Sequence, residues 1–388
     1  MSATIGILGA SGFVGSALCE RLYFQGRRDF IPFIRSSGNA WRLSRLGGLR
    51  LRSLDITDRA QVFEAVGACD VVVNCALGND AAMFQGLQNV LDAARNVGLR
   101  RFVHLSSIAI YGQDPPPEST TEAAKPDPSE NAYGIAKLRQ DEMVMKLHRA
   151  GVPCYILCPG NITGPYSFFA RGMVEWLAAG PVPLVDQGRY PSNLVHVDNL
   201  VEAVLRAVDA DGGAGVRYFV NEVRPVSWRQ LFQDLSRLLG AQYAFTDVSR
   251  DEVLPHVRRV DRRPTLASKL RLALAEQSRE ALSALPIFGW LNASAAAGFR
   301  KLPARAQMRI KERLQWPVRI PKVADSGPRL DDRYVTVQTR RVYHSPERLQ
   351  TTLGWEPPLS YETGLDTLAA WLRFAGIVPP SSADITVA

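Results

Sequence analysis

The chain has 388 residues, enough for one large domain or two ordinary ones, and 46% hydrophobic and 22% charged residues are typical of a soluble globular protein. No run approaches the ~18 apolar residues of a membrane-spanning helix, and no basic leader precedes the first strand-like run, so we expect neither a membrane span nor a signal peptide. The net charge of +8 is uneven, because residues 258–329 carry 16 Lys and Arg against 5 Asp and Glu.

The first half of the chain alternates strand-like runs with helical stretches. The strand candidates, in chain order, are "TIGILGA", "FIPFIRS", "LRLRSLDITD", "DVVVNCALG", "RRFVHLSSIAIYG" and "VPCYILCPGNITGP". Helical patterns begin at Val14 and cover residues 81–97 and 132–149. This alternation predicts a parallel sheet covered on both faces, with ligands bound beyond the carboxyl ends of its strands.

The pattern is looser after residue 160. "LVHVDNLVEAVLRAV" predicts a short strand running into a helix, and Ser227 is placed to cap a helix that begins at Trp228. "SYETGLDTLAAWLRFAGI" predicts a final helix before a disordered tail at 379–388. We therefore predict an α/β fold: a Rossmann-type doubly wound parallel sheet with a smaller mixed C-terminal substrate domain and a helical insertion. The predicted boundaries are 1–165 with a returning segment 190–220 for the dinucleotide-binding domain, and 166–189 with 221–378 for the substrate region, which includes the insertion 258–329.

Three glycines in "GILGASGFVG" follow the first strand and open a helix. Gly9 permits a tight turn, Gly12 lets the backbone approach a pyrophosphate, and Gly15 lets the helix pack against the strand. Backbone N–H groups at the start of that helix then face the phosphates. The motif predicts a dinucleotide cradle, although a glycine-rich turn without a nucleotide would have the same pattern.

The end of the second strand should meet the adenosine ribose. An acid there would bind the ribose hydroxyls of NAD, but the chain has Arg35 and Ser36, with no acid until Asp55. A guanidinium suits a 2′-phosphate, which favours NADP(H) over NAD(H). Asp55 ends the third strand and is placed to accept a hydrogen bond from the adenine amino group.

A possible proton-transfer group lies in "NAYGIAKLRQ". Tyr133 and Lys137 are four residues apart, which puts both on one face of a helix. A nearby ammonium lowers the pKa of a tyrosine, so we expect Lys137 to help Tyr133 exchange a proton with a substrate oxygen. Ser107, at the end of the fifth strand, is placed to donate a hydrogen bond to the same oxygen.

These motifs together resemble the extended short-chain dehydrogenase/reductases, the family of nucleotide-sugar epimerases and dehydratases. The motifs that show this resemblance are "GASGFVG", "LDITD", "HLSSIAIYG", "YGIAK", "CPGNITGP" and "LVHVDNL". The resemblance covers roughly residues 3–250 and 340–375. It implies that Ser107, Tyr133 and Lys137 are the catalytic triad. It also implies that Pro159 and Gly160 lie near the nicotinamide, that Asn161 faces the substrate, and that His196 and Asp198 order the substrate side. The full predicted cofactor set is Gly9, Ser11, Gly12, Phe13, Val14, Gly15, Arg35, Ser36, Asp55, Ile56, Ala76, Leu77, Tyr133, Lys137 and Pro159.

Departures from the family pattern reduce the number of reactions that we expect. Sugar 4,6-dehydratases carry an Asp-Glu pair between the serine and the tyrosine of the fifth-strand motif. This chain has "IAI" at 108–110, between Ser107 and Tyr111, so we predict no 4,6-dehydratase activity. Ser192 stands where nucleotide-sugar epimerases often place a diphosphate-binding arginine, and Arg189 is the nearest substitute. Cys158 replaces an arginine that often precedes the "PGN" run.

Two functions fit this pattern. The first is reversible hydride transfer at a secondary alcohol or ketone of a sugar, nucleotide- or carrier-linked, by an oxidoreductase or epimerase. The alternative is an NADPH-dependent reductase of a hydrophobic ketone, hydroxysteroid- or polyketide-like, at a membrane surface. A nucleotide-binding sensor without turnover is disfavoured, because Ser107, Tyr133 and Lys137 are all present.

The basic insertion 258–329 carries two apolar helical stripes. Leu266, Leu270 and Leu274 share one stripe, and Ile310 and Leu314 share another that is flanked by Arg and Lys. It is interpreted either as a helical lid over the substrate cleft or as a cationic amphipathic element in peripheral contact with an anionic membrane. We expect no nucleic-acid partner, because no recognised motif accompanies the charge.

The cysteines indicate the compartment. Cys19, Cys69, Cys75, Cys154 and Cys158 lie in apolar runs, so we expect buried free thiols and no metal site. An odd number without a disulfide framework suits a reducing cytoplasm, the expected location, with membrane association as the alternative. The resembled family usually dimerises through the helices predicted over 81–97 and 132–149, which implies a homodimer.

Overall fold

A computed structural model describes residues 3–37, 40–77, 81–128, 131–178, 181–213, 215–240, 243–260, 330 and 333–378. The strands are β1 (Ile5–Leu8), β2 (Phe30–Ile34), β3 (Arg52–Ser53), β4 (Val71–Asn74), β5 (Arg101–Leu105), β6 (Cys154–Pro159), β7 (Asn161–Thr163), β8 (Val182–Val185), β9 (Leu194–His196), β10 (Arg217–Val220) and β11 (Phe245–Val248). The helices are α1 (Phe13–Phe24), α2 (Arg59–Gly67), α3 (Ala81–Asn96), α4 (Ala132–Arg149), α5 (Phe168–Ala178), α6 (Val197–Asp209), α7 (Trp228–Leu238), α8 (Arg250–Val260), α9 (Arg333–Thr336), α10 (Glu347–Leu353) and α11 (Tyr361–Phe374).

Within the described ranges, seven strands form one parallel sheet in the order β10-β6-β5-β4-β1-β2-β3. The first strand pairs with both β2 and β4, so Ile5 lies opposite Phe30 on one side and Val71 on the other. The strand order therefore reverses between β1 and β4, which creates the crevice where such sheets bind ligands. This arrangement confirms the predicted Rossmann-type sheet.

Helices cover both faces of the sheet. α1 and α6 pack on one face, where Leu18 and Val204 join a buried cluster with strand residues such as Ile7. α2, α3 and α4 pack on the other face, where Leu91 and Val144 are buried. The central strands are apolar on both sides for this reason, as the run Val71–Asn74 illustrates.

The second half adds two short parallel pairs, β7 with β9 and β8 with β11. A third buried cluster joins α5, α7 and α11, with Trp228 and Leu368 among its members. The Ser227 hydroxyl caps α7 by accepting from the N–H of Gln230, as the sequence predicted. The strand β10 returns to the edge of the large sheet beside β6.

Three predicted strands differ from the observed ones. The fifth ends at Leu105, and Ile108–Tyr111 form a 3₁₀ helix instead. The sixth divides at Gly160 into β6 and β7, which belong to different sheets. The third shrinks to Arg52–Ser53 at the sheet edge.

Some expectations fall outside the described residues. These are the helical stripes of the basic insertion and the tail at 379–388. Of the insertion 258–329, only the first residues are described, at the end of α8. In the part of the chain that the structure describes, no helix combines the length and apolarity needed to cross a bilayer.

Candidate active site

The glycine turn between β1 and α1 is tightly packed against backbone. Gly9 has φ +74°, and a Cβ there would lie 2.9 Å from the Cα of Ala76, at the end of the neighbouring strand β4. A Cβ on Gly15 would lie 2.3 Å from the carbonyl oxygen of Gly9. Gly12 begins α1 without a side-chain cap. The first-turn N–H groups of α1 therefore lack a capping side chain, which suits a phosphate.

The predicted ribose-binding residues follow β2 and β3. Arg35 is exposed directly after β2, and Ser36 beside it is exposed as well. Asp55 accepts hydrogen bonds from the backbone N–H and the hydroxyl of Thr57, at 2.9 and 2.8 Å. These bonds, with a smaller contribution from Arg35, lower the pKa of Asp55. Arg35 and Asp55 thus lie close enough at this edge to interact electrostatically.

The other predicted cofactor residues lie at the carboxyl edge of the sheet. The N–H of Ala76 donates to Asn74 Oδ1 at 3.2 Å, and Leu77 beside it is exposed. The Ile56 carbonyl accepts from Asn89 at 3.0 Å. Ser11, Phe13 and Val14 are partly exposed around the glycine turn, and Pro159 is buried at the end of β6.

The helix α4 carries Tyr133 and Lys137 to the end of β5. Asn131 caps it by accepting from the N–H of Gly134 at 3.0 Å. A Cβ on Gly134 would lie 2.3 Å from the Ala109 carbonyl oxygen, so the helix start packs closely on the 3₁₀ helix after β5. The Lys137 ammonium donates to the carbonyl of Leu105, the last residue of β5, at 2.9 Å. The structure therefore fixes Lys137 against the strand that precedes Ser107.

Ser107 and Tyr133 come together at this point. Ser107 caps the 3₁₀ helix by accepting from the N–H of Ala109 at 3.2 Å, and it also hydrogen-bonds Tyr133. The tyrosine as a whole is 40% exposed, yet burial around its hydroxyl raises the pKa, while the bond with Ser107 lowers it. The lowering expected from Lys137 is not observed, because desolvation is the largest effect and the groups that act on this pKa are Ser107, Cys158 and Asp141.

The Lys137 side chain is buried, and desolvation lowers its pKa to about 8. Asp141, one turn further along α4, opposes this effect, as do the thiols of Cys158 and Cys75. Burial raises the pKa of Cys75 to about 12 and raises that of Cys158 further, so both thiols are neutral near pH 7. All five cysteines are free thiols, and four of them are buried.

The substrate side begins at Gly160, where β6 gives way to β7. A Cβ there would lie 2.1 Å from the Asn193 carbonyl oxygen, so no side chain fits. The Asn161 amide donates to the Ser192 carbonyl at 2.7 Å. Ser192 itself is buried, and its hydroxyl donates to the Val226 carbonyl at 2.7 Å. The position that could hold a diphosphate-binding cation is thus occupied by a hydroxyl turned into the fold.

Two other predicted substrate residues make contacts within the fold. Arg189 is 69% exposed and pairs with Asp186 at 3.0 Å. His196 is buried and caps α6, since its Nδ1 accepts from the N–H of Asp198 and its Nε2 lies 3.2 Å from the Thr367 hydroxyl. One ring nitrogen of His196 therefore caps α6, and the other contacts α11.

Sequence reasoning missed Arg42, which lies beside the glycine turn. Its guanidinium donates to the Phe13 carbonyl at 3.2 Å and to Glu20 at 3.1 Å, and it stacks 4.1 Å from the Tyr166 ring. These contacts join α1 to the segment after β7. No local motif marks this residue, because each partner is distant in sequence.

A buried polar group behind Lys137 was also missed. Arg217, at the start of β10, donates to Asp141 at 2.7 Å, and His104 Nε2 lies 3.7 Å from the other carboxylate oxygen. His104 Nδ1 in turn lies 3.2 Å from the Asn74 amide. The spacing of Tyr133, Lys137 and Asp141, four residues apart each time, is the sequence signal that could have identified the carboxylate.

The chain is similar to several known proteins. The model of the NAD dependent epimerase/dehydratase family matches residues 5–220. A farnesyl-dihydroquinoline-oxide ketoreductase of Stigmatella aurantiaca is 26% identical over 248 residues, covering 61% of this chain and 72% of its own. A UDP-N-acetyl-α-D-glucosaminuronate decarboxylase of Bacillus cytotoxicus is 24% identical over 273 residues, covering 64% and 84%. Among the curated relatives, the covered share of their own length ranges from 39% to 84%.

Solved structures show the same fold. The UDP-glucose 4-epimerase of Thermotoga maritima, solved with UDP-glucose, superposes with a TM-score of 0.62 at 18% identity. The alignment covers 96% of this chain and 99% of the epimerase. At this level of identity the likeness concerns the fold.

Proposed function

Because this chain belongs to the NAD-dependent epimerase/dehydratase family, we propose that it carries out reversible hydride transfer at a secondary alcohol or ketone carbon through Ser107, Tyr133 and Lys137. The observation that carries the proposal is the position of Lys137, one turn from Tyr133 and bonded to Leu105 at the end of β5. Ser107 reaches Tyr133 from the same edge of the sheet. We propose that this hydroxyl, this phenol and this ammonium act together where the family binds its nucleotide.

Each of the three side chains has a distinct task. Tyr133 exchanges a proton with the substrate oxygen, since the residue is 40% exposed at the carboxyl edge of the sheet. Ser107 donates a hydrogen bond that steadies negative charge on that oxygen. The Lys137 ammonium lowers the cost of forming the phenolate by its charge. A nicotinamide cofactor, when bound, supplies or accepts the hydride.

The glycine turn fits a dinucleotide, because a Cβ at Gly9 or Gly15 would collide with backbone and Gly12 leaves the helix start uncapped. The family is NAD-dependent, and we propose a preference for NADP(H). Arg35, exposed at the end of β2, supports that preference.

For the substrate we propose a sugar, nucleotide- or carrier-linked, to be oxidised, reduced or epimerised. The family and the decarboxylase that acts on a UDP-sugar support this class. We propose that 4,6-dehydration is not the reaction, because the three residues 108–110 between Ser107 and Tyr111 include no acid. Asn161, Arg189 and His196 remain predictions for the substrate side.

A second candidate is NADPH-dependent reduction of a hydrophobic ketone. The buried Ser192 hydroxyl favours it, since no cation occupies the position that often binds a diphosphate. The similarity to a ketoreductase of a farnesylated substrate points in the same direction. Such an enzyme could meet its substrate at a membrane surface through the basic insertion.

The organisation of the chain is proposed in the same way. Residues 1–165 with 190–220 would bind the cofactor, and 166–189 with 221–378 would hold the substrate. Assembly as a homodimer through α3 and α4 follows the family resemblance and is tested by sedimentation.

The two substrate classes are separated by ligand screening. The purified chain with NADPH or NAD is mixed with UDP-, GDP- and dTDP-sugars or with lipidic ketones, and thermal shifts and absorbance at 340 nm are recorded. Stabilisation by at least one nucleotide sugar with a change at 340 nm supports the first class. If no nucleotide sugar stabilises the chain, the first class is wrong, and consumption of NADPH with a lipidic ketone supports the second.

A further inference from the structure

A buried ion pair lies directly behind the proposed catalytic lysine. Asp141 is completely buried on α4, one turn beyond Lys137, and its carboxylate accepts from the Arg217 guanidinium at 2.7 Å. Arg217 reaches it from β10, at the edge of the large sheet. Because Arg217 lies 76 residues away in sequence, the pair forms only when β10 joins the sheet.

The groups around Lys137 leave Asp141 as its main charged neighbour. From the sheet, Cys75 and Cys158 face it as thiols whose pKa is raised by burial. His104 lies near both side chains, and burial lowers its pKa far enough to keep the ring neutral. Of the described groups that act on Lys137, Asp141 has the largest effect that favours the charged ammonium.

Arg217 opposes the protonation that burial favours at Asp141. Desolvation is the largest effect and raises the pKa of the carboxyl overall, while the charge and the hydrogen bond of Arg217 lower it. A neutral Asp141 would leave the Lys137 ammonium buried without a counter-charge, which favours the neutral amine.

We propose that Asp141, held by Arg217, is a positioning residue that keeps Lys137 charged next to Tyr133. The catalytic role of Asp141 rests on the proposed function, since Lys137 assists proton transfer by Tyr133 only as an ammonium. Arg217 acts on Asp141, and Asp141 acts on Lys137; we call this electrostatic arrangement the relay. In this proposal neither Arg217 nor Asp141 touches the substrate.

The test measures Lys137 directly and needs neither cofactor nor substrate. The chain has seven lysines, so ¹³Cε-lysine labelling gives few NMR signals, and the signal missing in Lys137→Met identifies Lys137. In Asp141→Asn we expect the pKa of Lys137 to fall by about one unit or more. Arg217→Gln should give a fall in the same direction, while Arg217→Lys should keep the wild-type titration.

The matched control is Glu122→Gln. Glu122 is also a buried carboxylate held against β10, where it accepts from the N–H of Phe219 at 2.7 Å. It should lose comparable stability without moving the Lys137 titration. An unchanged Lys137 pKa in Asp141→Asn would overturn the proposal, as would an equal fall in Glu122→Gln. If Asp141→Asn does not fold, Arg217→Gln decides the question on the same criteria.

Turnover supplies the second readout. The pH above which activity declines should move down with the Lys137 pKa in Asp141→Asn. A turnover that does not depend on Tyr133 would refute the proposed function and leave the titration result intact. A dependence on Tyr133 with an unmoved Lys137 titration would refute the relay alone.

Discussion

Substitution of Gly15 by alanine tests the glycine turn as a cofactor cradle. The added Cβ would lie 2.3 Å from the Gly9 carbonyl oxygen and 3.0 Å from the Ala10 Cα, where ordinary contacts begin at 3.4 Å. Both neighbours are backbone, so α1 must move away from β1 by about 1 Å. Overpacking of this kind costs about 1–3 kcal/mol of stability. The shift also displaces the uncapped N–H groups that would face the phosphates.

The assay is titration with NADPH and NADH followed by nicotinamide fluorescence, with a thermal melt of each variant. We expect Gly15→Ala to weaken cofactor binding by about tenfold or more, equivalent to about 1.4 kcal/mol. The control is Gly67→Ala on α2, where the new Cβ would meet Val97 at an ordinary 3.9 Å. Cofactor affinity in Gly15→Ala within twofold of wild type would refute the cradle.

Three further predictions concern charge. Arg35→Ala should weaken NADPH binding far more than NADH binding, whereas Arg149→Ala at the far end of α4 should change neither; equal losses for both cofactors would count against the NADP(H) preference. Turnover should decline above about pH 8, as Lys137 loses the proton whose pKa burial lowers to about 8; a flat profile between pH 7 and 9.5 would contradict this role. Burial lowers the pKa of His344 to about 3 in the folded chain. Below pH ~6.5 the unfolded chain therefore binds a proton that the folded chain does not. The free energy of unfolding falls with pH for this reason, by about 2 kcal/mol at pH 5. Urea unfolding of His344→Gln should show a smaller loss between pH 7.5 and 5 than wild type; an equal loss would refute this assignment.

The large sheet could be predicted because its local signals agree with its packing. Residues 71–73 of β4 are all valine, and the strand lies in the centre of the sheet with both faces covered. The helix over Ala132–Arg149 has its cap, Asn131, and its periodicity in the sequence. At these places one segment of chain contains the information that decides its structure.

Two predicted strand ends were wrong, one because a local side-chain cap turns the chain and one because a distant segment decides the pairing. Ser107 accepts the N–H of Ala109 and so turns the chain into a 3₁₀ helix, although the residues that follow have the composition of a strand. Gly160 lies against the Asn193 backbone, and beyond it Asn161 pairs with β9 instead of the large sheet.

The candidate site could also be predicted only in part from the sequence. Tyr133 and Lys137 could be paired from their spacing, since a helix brings residues four apart together. Arg217 could not be assigned to Asp141, because the contact depends on where β10 enters the sheet. The direction of the Tyr133 pKa was also beyond the sequence, since it depends on burial of the hydroxyl.

The central claim is that Tyr133 moves the proton in hydride transfer, and Tyr133→Phe tests it most directly. The phenylalanine keeps the ring on α4 and removes the hydroxyl that bonds Ser107. With the substrate identified by screening, single-turnover absorbance at 340 nm gives the rate and fluorescence titration gives the cofactor affinity. We predict a rate at least about 10²-fold lower with cofactor affinity nearly unchanged, in line with acid–base contributions of ~10²–10⁴. A residual rate above about a hundredth of wild type would contradict the account.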